Sequence, residues 1–161
     1  MDEVTKLKYE AAKAECEKHS ARINFALHAL GKKMPLSEVS FKTLDDESVA
    51  LLDQFLYRFT KMQDTIGTRL LPAAYRLLTQ DDTVRPFIDV LNHLEKLQVL
   101  PSVDQWQNFR NARNAIAHEY PEREAESVAA INYLYNNWNA FEAMYQHIIH
   151  KTDTALQGVK L

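Results

Sequence analysis

The stretch RNAIAHEY, residues 113–120, gathers Arg113, His118 and Tyr120 into one short run, with Pro121 directly behind. A guanidinium stays charged and grips phosphate through paired hydrogen bonds. An imidazole moves a proton near neutral pH. Together they can hold a phosphodiester and help break it without a metal, by activating a ribose 2′-OH or protonating the leaving oxygen. Asn114, beside the arginine, can orient His118 or touch the phosphate.

These residues must be positioned by a helix. Ser102, with Gln105 three residues on, has the form of a capping box, and the helix it opens should stop by Tyr120, ahead of Pro121. At about 100° per residue, Phe109, Ala112, Ile116 and Tyr120 form its core face. Arg110, Asn114 and His118 follow at four-residue steps as a polar ridge without an acidic member, which makes Arg110 a supporting phosphate contact. Arg113 lies about 140° around the helix from His118 and about 7.5 Å along it. Either the long arginine bends across, or two copies of the helix meet about a two-fold axis and share one groove. The plain alternative is that His118 caps a helix C-terminus. An Arg-x4-His pair arises by chance in about a third of chains with these residue counts, so the pair alone is a weak signal.

The remaining chain supplies a helical scaffold. A first helix is expected from about Asp2 to Leu30, with Gly31 as its stop, followed by a connection over residues 31–46 broken by Pro35. A long helix should start after Asp46 on the stripe Val49, Leu52, Phe55, Leu56, Phe59 and Met62, with a kink or break near Gly67 and Pro72. A shorter helix runs from about Arg85 to Val99, and a last one from about Arg123 to His150. Residues 151–161 read as a frayed tail. The expected architecture is therefore all-α: one domain over residues 1–150, a four- to five-helix antiparallel bundle.

Composition narrows the classes. With 161 residues, three glycines and five prolines, one helical domain with a real core is the natural expectation. A net charge of −3 argues against a broadly cationic nucleic-acid coat but leaves room for a local basic site. Cys16 is the only cysteine, so no internal disulfide can form and a reducing, cytoplasmic setting is expected. The N-terminus carries no apolar signal-peptide core and no run is long enough for a membrane span.

The longer string RNARNAIAHEY resembles the R-x4-H-x-Y motif of the HEPN superfamily, in particular the HepT-like toxins and the related nucleotidyltransferase substrate-binding subunits. Requiring the tyrosine as well lowers the chance expectation to about one in a hundred. The helix LLDQFLYRFTKMQDTIGTRLLP, residues 51–72, and the aromatic-rich final helix are similar to that family's as well, so the resemblance spans roughly residues 10–150. It implies a dimeric helical bundle whose motifs share a cleft, acting as a metal-independent endoribonuclease. It also implies a nucleotidyltransferase antitoxin that neutralises the toxin and can transfer AMP to the motif tyrosine. Carried onto this chain, Arg113 and His118 are the catalytic pair, Asn114 the polar helper and Tyr120 the AMP acceptor. No cofactor is implied, and RNA is the substrate. The alternative within the same resemblance is a non-catalytic subunit that presents substrate to a nucleotidyltransferase.

Other residues carry weaker signals. His147 and His150, three apart, lack a third metal ligand at a matching step, so no metal site is expected. Arg58, Lys61 and Arg69 with Asp53 and Asp64 read as an exposed face held by pairs along one helix. Trp106 and Trp138 read as core or dimer anchors, and Cys16 as structural.

Overall fold

The computed structural model describes residues 2–117 and 124–158. Every regular element among them is helical: α1 (Glu3–Leu30), α2 (Glu38–Lys42), α3 (Asp46–Thr65), α4 (Leu71–Thr79), α5 (Phe87–Lys96), α6 (Val103–Ala117) and α7 (Glu124–Gly158). The all-α expectation holds, but the described residues form seven α-helices where four to five were expected, because the short α2 falls within the 31–46 connection and the long helix after Asp46 is divided into α3 and α4.

Cross-helix pairs give the packing directions. Tyr9, Ser20 and Asn24 of α1 bond Asp153, Glu142 and Trp138 of α7, so the two helices run antiparallel. Glu15 of α1 meets Arg69, while His19 meets Arg58, so α1 is also antiparallel to the α3–α4 stretch. Asp64 faces Arg113 and Gly67 faces Trp106, which orients α6 the same way against α3. The core between them is aromatic. Phe141 of α7 packs 4.7 Å from Phe59 of α3 and 4.9 Å from Phe109 of α6, centroid to centroid.

Residues 46–79 remain helical throughout, passing a π-turn at Ile66–Leu70. This is where a kink or break was expected. In a regular helix the Pro72 ring would strike the carbonyl four residues back, that of Thr68. The wider turn absorbs this, with Leu71 N–H donating to the Ile66 carbonyl five residues earlier. Gln80 then closes α4 in the left-handed region, at φ 55°. At the other expected stop, Gly31 takes φ 51° and ends α1.

The end of the chain departs from expectation. Residues 151–158, read as part of a frayed tail, continue α7 to Gly158. Thr152 is fully buried, and Asp153 accepts from the Tyr9 hydroxyl at 2.9 Å and the Lys13 ammonium at 2.8 Å. Contacts with α1, invisible in the local pattern, extend the helix. The connection over residues 31–46 also holds structure: Ser37 and Ser40 form a reciprocal capping box for α2, and Asn132 of α7 pairs with both backbone groups of Leu36.

Candidate functional site

Helix α6 is anchored first at its start. Ser102 Oγ accepts from the Gln105 backbone N–H at 3.1 Å, the expected half of a capping box. A second cap was not foreseen: Glu95 of α5 accepts from Val103 N–H at 2.6 Å. Both carboxylate and hydroxyl satisfy amides that the first helical turn leaves open. Phe109 and Ala112 are buried as the helical wheel requires, and Ile116 is half-buried, so the polar ridge turns outward.

Arg113 emerges at the edge of that buried face, with about a third of its side chain exposed. Its Nη2 donates to both oxygens of Asp64 on α3, at 3.0 and 3.1 Å. Its Nη1 donates to Asn114 Oδ1 at 3.1 Å. The guanidinium is thus fixed by a carboxylate from another helix and by its own neighbour. Asn114 serves here as a positioning group for the arginine. His118 and Tyr120 lie outside the described residues, so of the motif the structure brings together Arg113 and Asn114 alone.

Arg113 also borders a cavity of about 620 Å³, a size in the range of small-molecule sites. Its wall includes Gln63, Gly67, Phe87, Trp106 and Arg110, drawn from α3, the π-turn, α5 and α6. A Cβ on Gly67 would stand 3.1 Å from Trp106 Cζ2, so glycine lets the indole lie close against the π-turn. Four arginines line this cavity. Three are paired: Arg76 with Asp82, Arg85 with Asp81 and Arg113 with Asp64. Arg110, exposed beside the motif, has no ion-pair partner among the described residues, so the cavity carries surplus positive charge within a net-negative chain. Asp81 is held well below the usual carboxylate range, chiefly by Thr83, whose hydroxyl and backbone N–H donate to it, and then by Arg85. That cluster ties down the rim over residues 81–85.

Sequence reading missed Asp64, Gln63 and the cavity face of Trp106. Asp64 was placed in a pair along its own helix, whereas it reaches 49 residues ahead to Arg113. Its spacing from Arg69 and Lys61 gave no hint of this. Trp106, expected as an anchor, is buried and also forms cavity wall.

Elsewhere, His147 Nε2 sits 2.9 Å from the Gln98 carbonyl, an acceptor that places the proton on Nε2. Among the described residues no three His, Cys, Asp or Glu side chains gather to hold a metal ion, and no helix is long and apolar enough to cross a membrane. Cys16 is buried, and burial pushes its thiol up to about 12, which leaves it inert.

Comparison with protein-family models, with curated proteins and with solved structures finds no match to this chain.

Proposed function

We propose that this chain is a HEPN-type, HepT-like endoribonuclease toxin that cleaves RNA without a metal and is neutralised by a nucleotidyltransferase antitoxin. The observation that carries the reading is the fixed guanidinium of Arg113, held by Asp64 and Asn114 on the helix that leads into His118. An arginine clamped in this way keeps unused N–H donors for a phosphate while losing little conformational freedom on binding. His118 takes the proton of the ribose 2′-OH as that oxygen attacks phosphorus, or gives a proton to the departing 5′-oxygen. The products are a cyclic phosphate and a free 5′-hydroxyl. Two chains meet with their motifs facing a shared cleft, which overcomes the angular offset between Arg113 and His118 on one helix. The antitoxin transfers AMP to Tyr120, and the added phosphate repels RNA from the same cleft.

One observation favours a second reading. Asp64 already neutralises Arg113. That suits a binding subunit that presents substrate to a nucleotidyltransferase and cleaves nothing itself.

Expression of the chain alone separates the two. The nuclease reading expects growth arrest and RNA cleavage, with His118→Ala and Arg113→Ala each lowering cleavage by about 10²- to 10⁴-fold. A parent protein that neither arrests growth nor cleaves RNA sinks it and leaves the binding subunit. After co-expression with the nucleotidyltransferase, intact mass should rise in AMP-sized steps that Tyr120→Phe abolishes. Light scattering should return about twice 18.6 kDa.

A further inference from the structure

A buried donor with nothing to accept from it costs free energy, so its survival asks for a reason. Among the described residues, four buried side-chain polar atoms have no hydrogen-bond partner: Arg58 Nε, Gln63 Nε2, Trp106 Nε1 and Arg113 Nε. Three of these belong to residues that line the one cavity beside Arg113. All three are donors. Each nitrogen is itself shielded from solvent in the free protein, and a side-chain shift toward the cavity would present it to a ligand whose edge is rich in acceptors.

The same wall is partly aromatic. The Trp106 and Phe87 rings meet edge-on at 6.4 Å, and Gly67 withholds the side chain that would push the indole away. Trp106 lies two turns, about 10 Å, before Arg113 on α6. Arg113 therefore belongs both to the phosphate-binding motif and to the cavity, and Arg110 stands between Trp106 and Arg113 in the chain with its charge uncompensated.

We propose that this cavity receives the unpaired base next to the scissile phosphate, with Gln63 Nε2 and Trp106 Nε1 donating to acceptor atoms on its edge, a carbonyl oxygen among them. The proposal rests on the nuclease reading and adds to it the residues that choose where RNA is cut. Guanine and uracil present carbonyl acceptors, whereas cytosine and adenine present an amino donor at the equivalent position. The chain should therefore cut single-stranded RNA beside guanine or uracil. Discrimination by a site built to hydrogen-bond its substrate is strong, because the wrong base leaves those donors unpaired.

Gln63→Leu tests this directly. Leucine keeps much of the volume and removes the orphan amide, so it breaks no hydrogen bond that the free protein makes. The thermal midpoint should stay level or rise. Cleavage beside guanine and uracil should fall about tenfold, through KM and kcat/KM, while cleavage beside adenine and cytosine changes little. Trp106→Phe should flatten the preference in the same way. As a binding arm, a short unstructured RNA carrying guanine or uracil should perturb the Trp106 fluorescence of the His118→Ala protein, and the adenine counterpart should not.

The possible failures are distinct. A parent that cleaves no RNA removes the nuclease reading itself. A parent that cleaves without base preference, prefers adenine or cytosine, or keeps its preference in Gln63→Leu overturns the cavity assignment alone. A fall in the thermal midpoint of Gln63→Leu would show that the amide has a partner in the fold, and that also overturns it.

Discussion

Trp106 and Trp138 are buried to almost the same depth, at 2% and 3% exposure, yet their indole nitrogens live differently. Trp138 Nε1 donates to Asn24 Oδ1 at 2.8 Å. Asn24 Nδ2 and the Ser20 hydroxyl in turn donate to Glu142, and farther along the same seam Tyr9 and Lys13 close on Asp153. This α1–α7 seam has its polar groups answered within the chain. The α3–α6 seam does not: Trp106 Nε1, Gln63 Nε2 and Arg113 Nε are buried without a partner, on three residues that line one cavity. Polar groups satisfied internally hold a fold in one arrangement, whereas open ones keep binding capacity in reserve at a cost in stability. The contrast sets a seam whose polar groups are answered within the chain against one where three buried donors have no partner.

The aromatic junction between the two seams sets the scale for anything that breaks the fold. Phe141 is fully buried against Phe59, Phe109 and Trp138. Phe141→Ala should cost about 3–5 kcal/mol, read as a shift in the urea midpoint. A loss below about 1 kcal/mol would mean that the junction does not tie α3, α6 and α7 together.

The sharper test compares the tryptophans. Trp138→Phe removes the bond to Asn24 along with part of the ring, and should cost about 1–2 kcal/mol more than Trp106→Phe, which forfeits no hydrogen bond. Equal losses, or a larger one at Trp106, would erase the distinction between the seams.

Much of this scaffold could be read from residue pattern. Of the stripe expected after Asp46, Leu52, Phe55, Phe59 and Met62 are buried, Leu56 is half-buried and Val49 is exposed in the first turn; Gly31 stops α1, and Gly67 with Pro72 mark the π-turn. Local signals suffice there because each feature is decided within a turn or two of chain. The rest depends on residues far apart in sequence. Helix α7 reaches Gly158 because Thr152 and Asp153 find α1, and a polar run such as TDT carries no mark of that partner. Asp64 looked like one member of an ordinary charged face, since charges at three- and four-residue steps pair along a helix by default. Its real partner is Arg113. Orphan donors are less legible still, for an indole is open or answered only by virtue of what surrounds it. Of the proposed chemistry, the sequence supplied Arg113, Asn114 and Arg110 by type and spacing. His118 and Tyr120 rest on the motif alone.

The Asp64–Arg113 pair should matter far more for chemistry than for folding. Both side chains are partly exposed, so solvent screens the pair and Asp64→Asn should cost no more than about 0.5–1 kcal/mol. Cleavage should respond differently, because a guanidinium no longer held by its carboxylate must be ordered when the phosphate arrives. If Asp64→Asn raises cleavage instead, the carboxylate competes with substrate for Arg113 and does not position it.

The smallest expected effects are in pH, and they again set one region against another. His19, on α1, is held below its ordinary value of 6.5, first by burial and then by the Arg58 charge, with Lys61 and Arg69 adding to it and Glu15 opposing. The folded state therefore prefers a neutral imidazole, and the unfolded chain binds more protons in the window just below 6.5. Stability contributed there is present above that pH and drains away as pH falls through it. Glu15 is held low mainly by Arg69, so its own contribution is lost only below the ordinary glutamate value of 4.5, in a separate window. Lys13 runs the opposite way: Asp153 raises it above 10.5, so the stability it adds holds at neutral pH and is lost as pH climbs past that value. Denaturant midpoints measured from pH 5 to 7 should slope gently upward, and His19→Gln should level the slope without touching the alkaline limb. An unchanged slope in His19→Gln would assign the acid sensitivity to some other group, and the α1–α3 contact at Arg58 would then have no part in it.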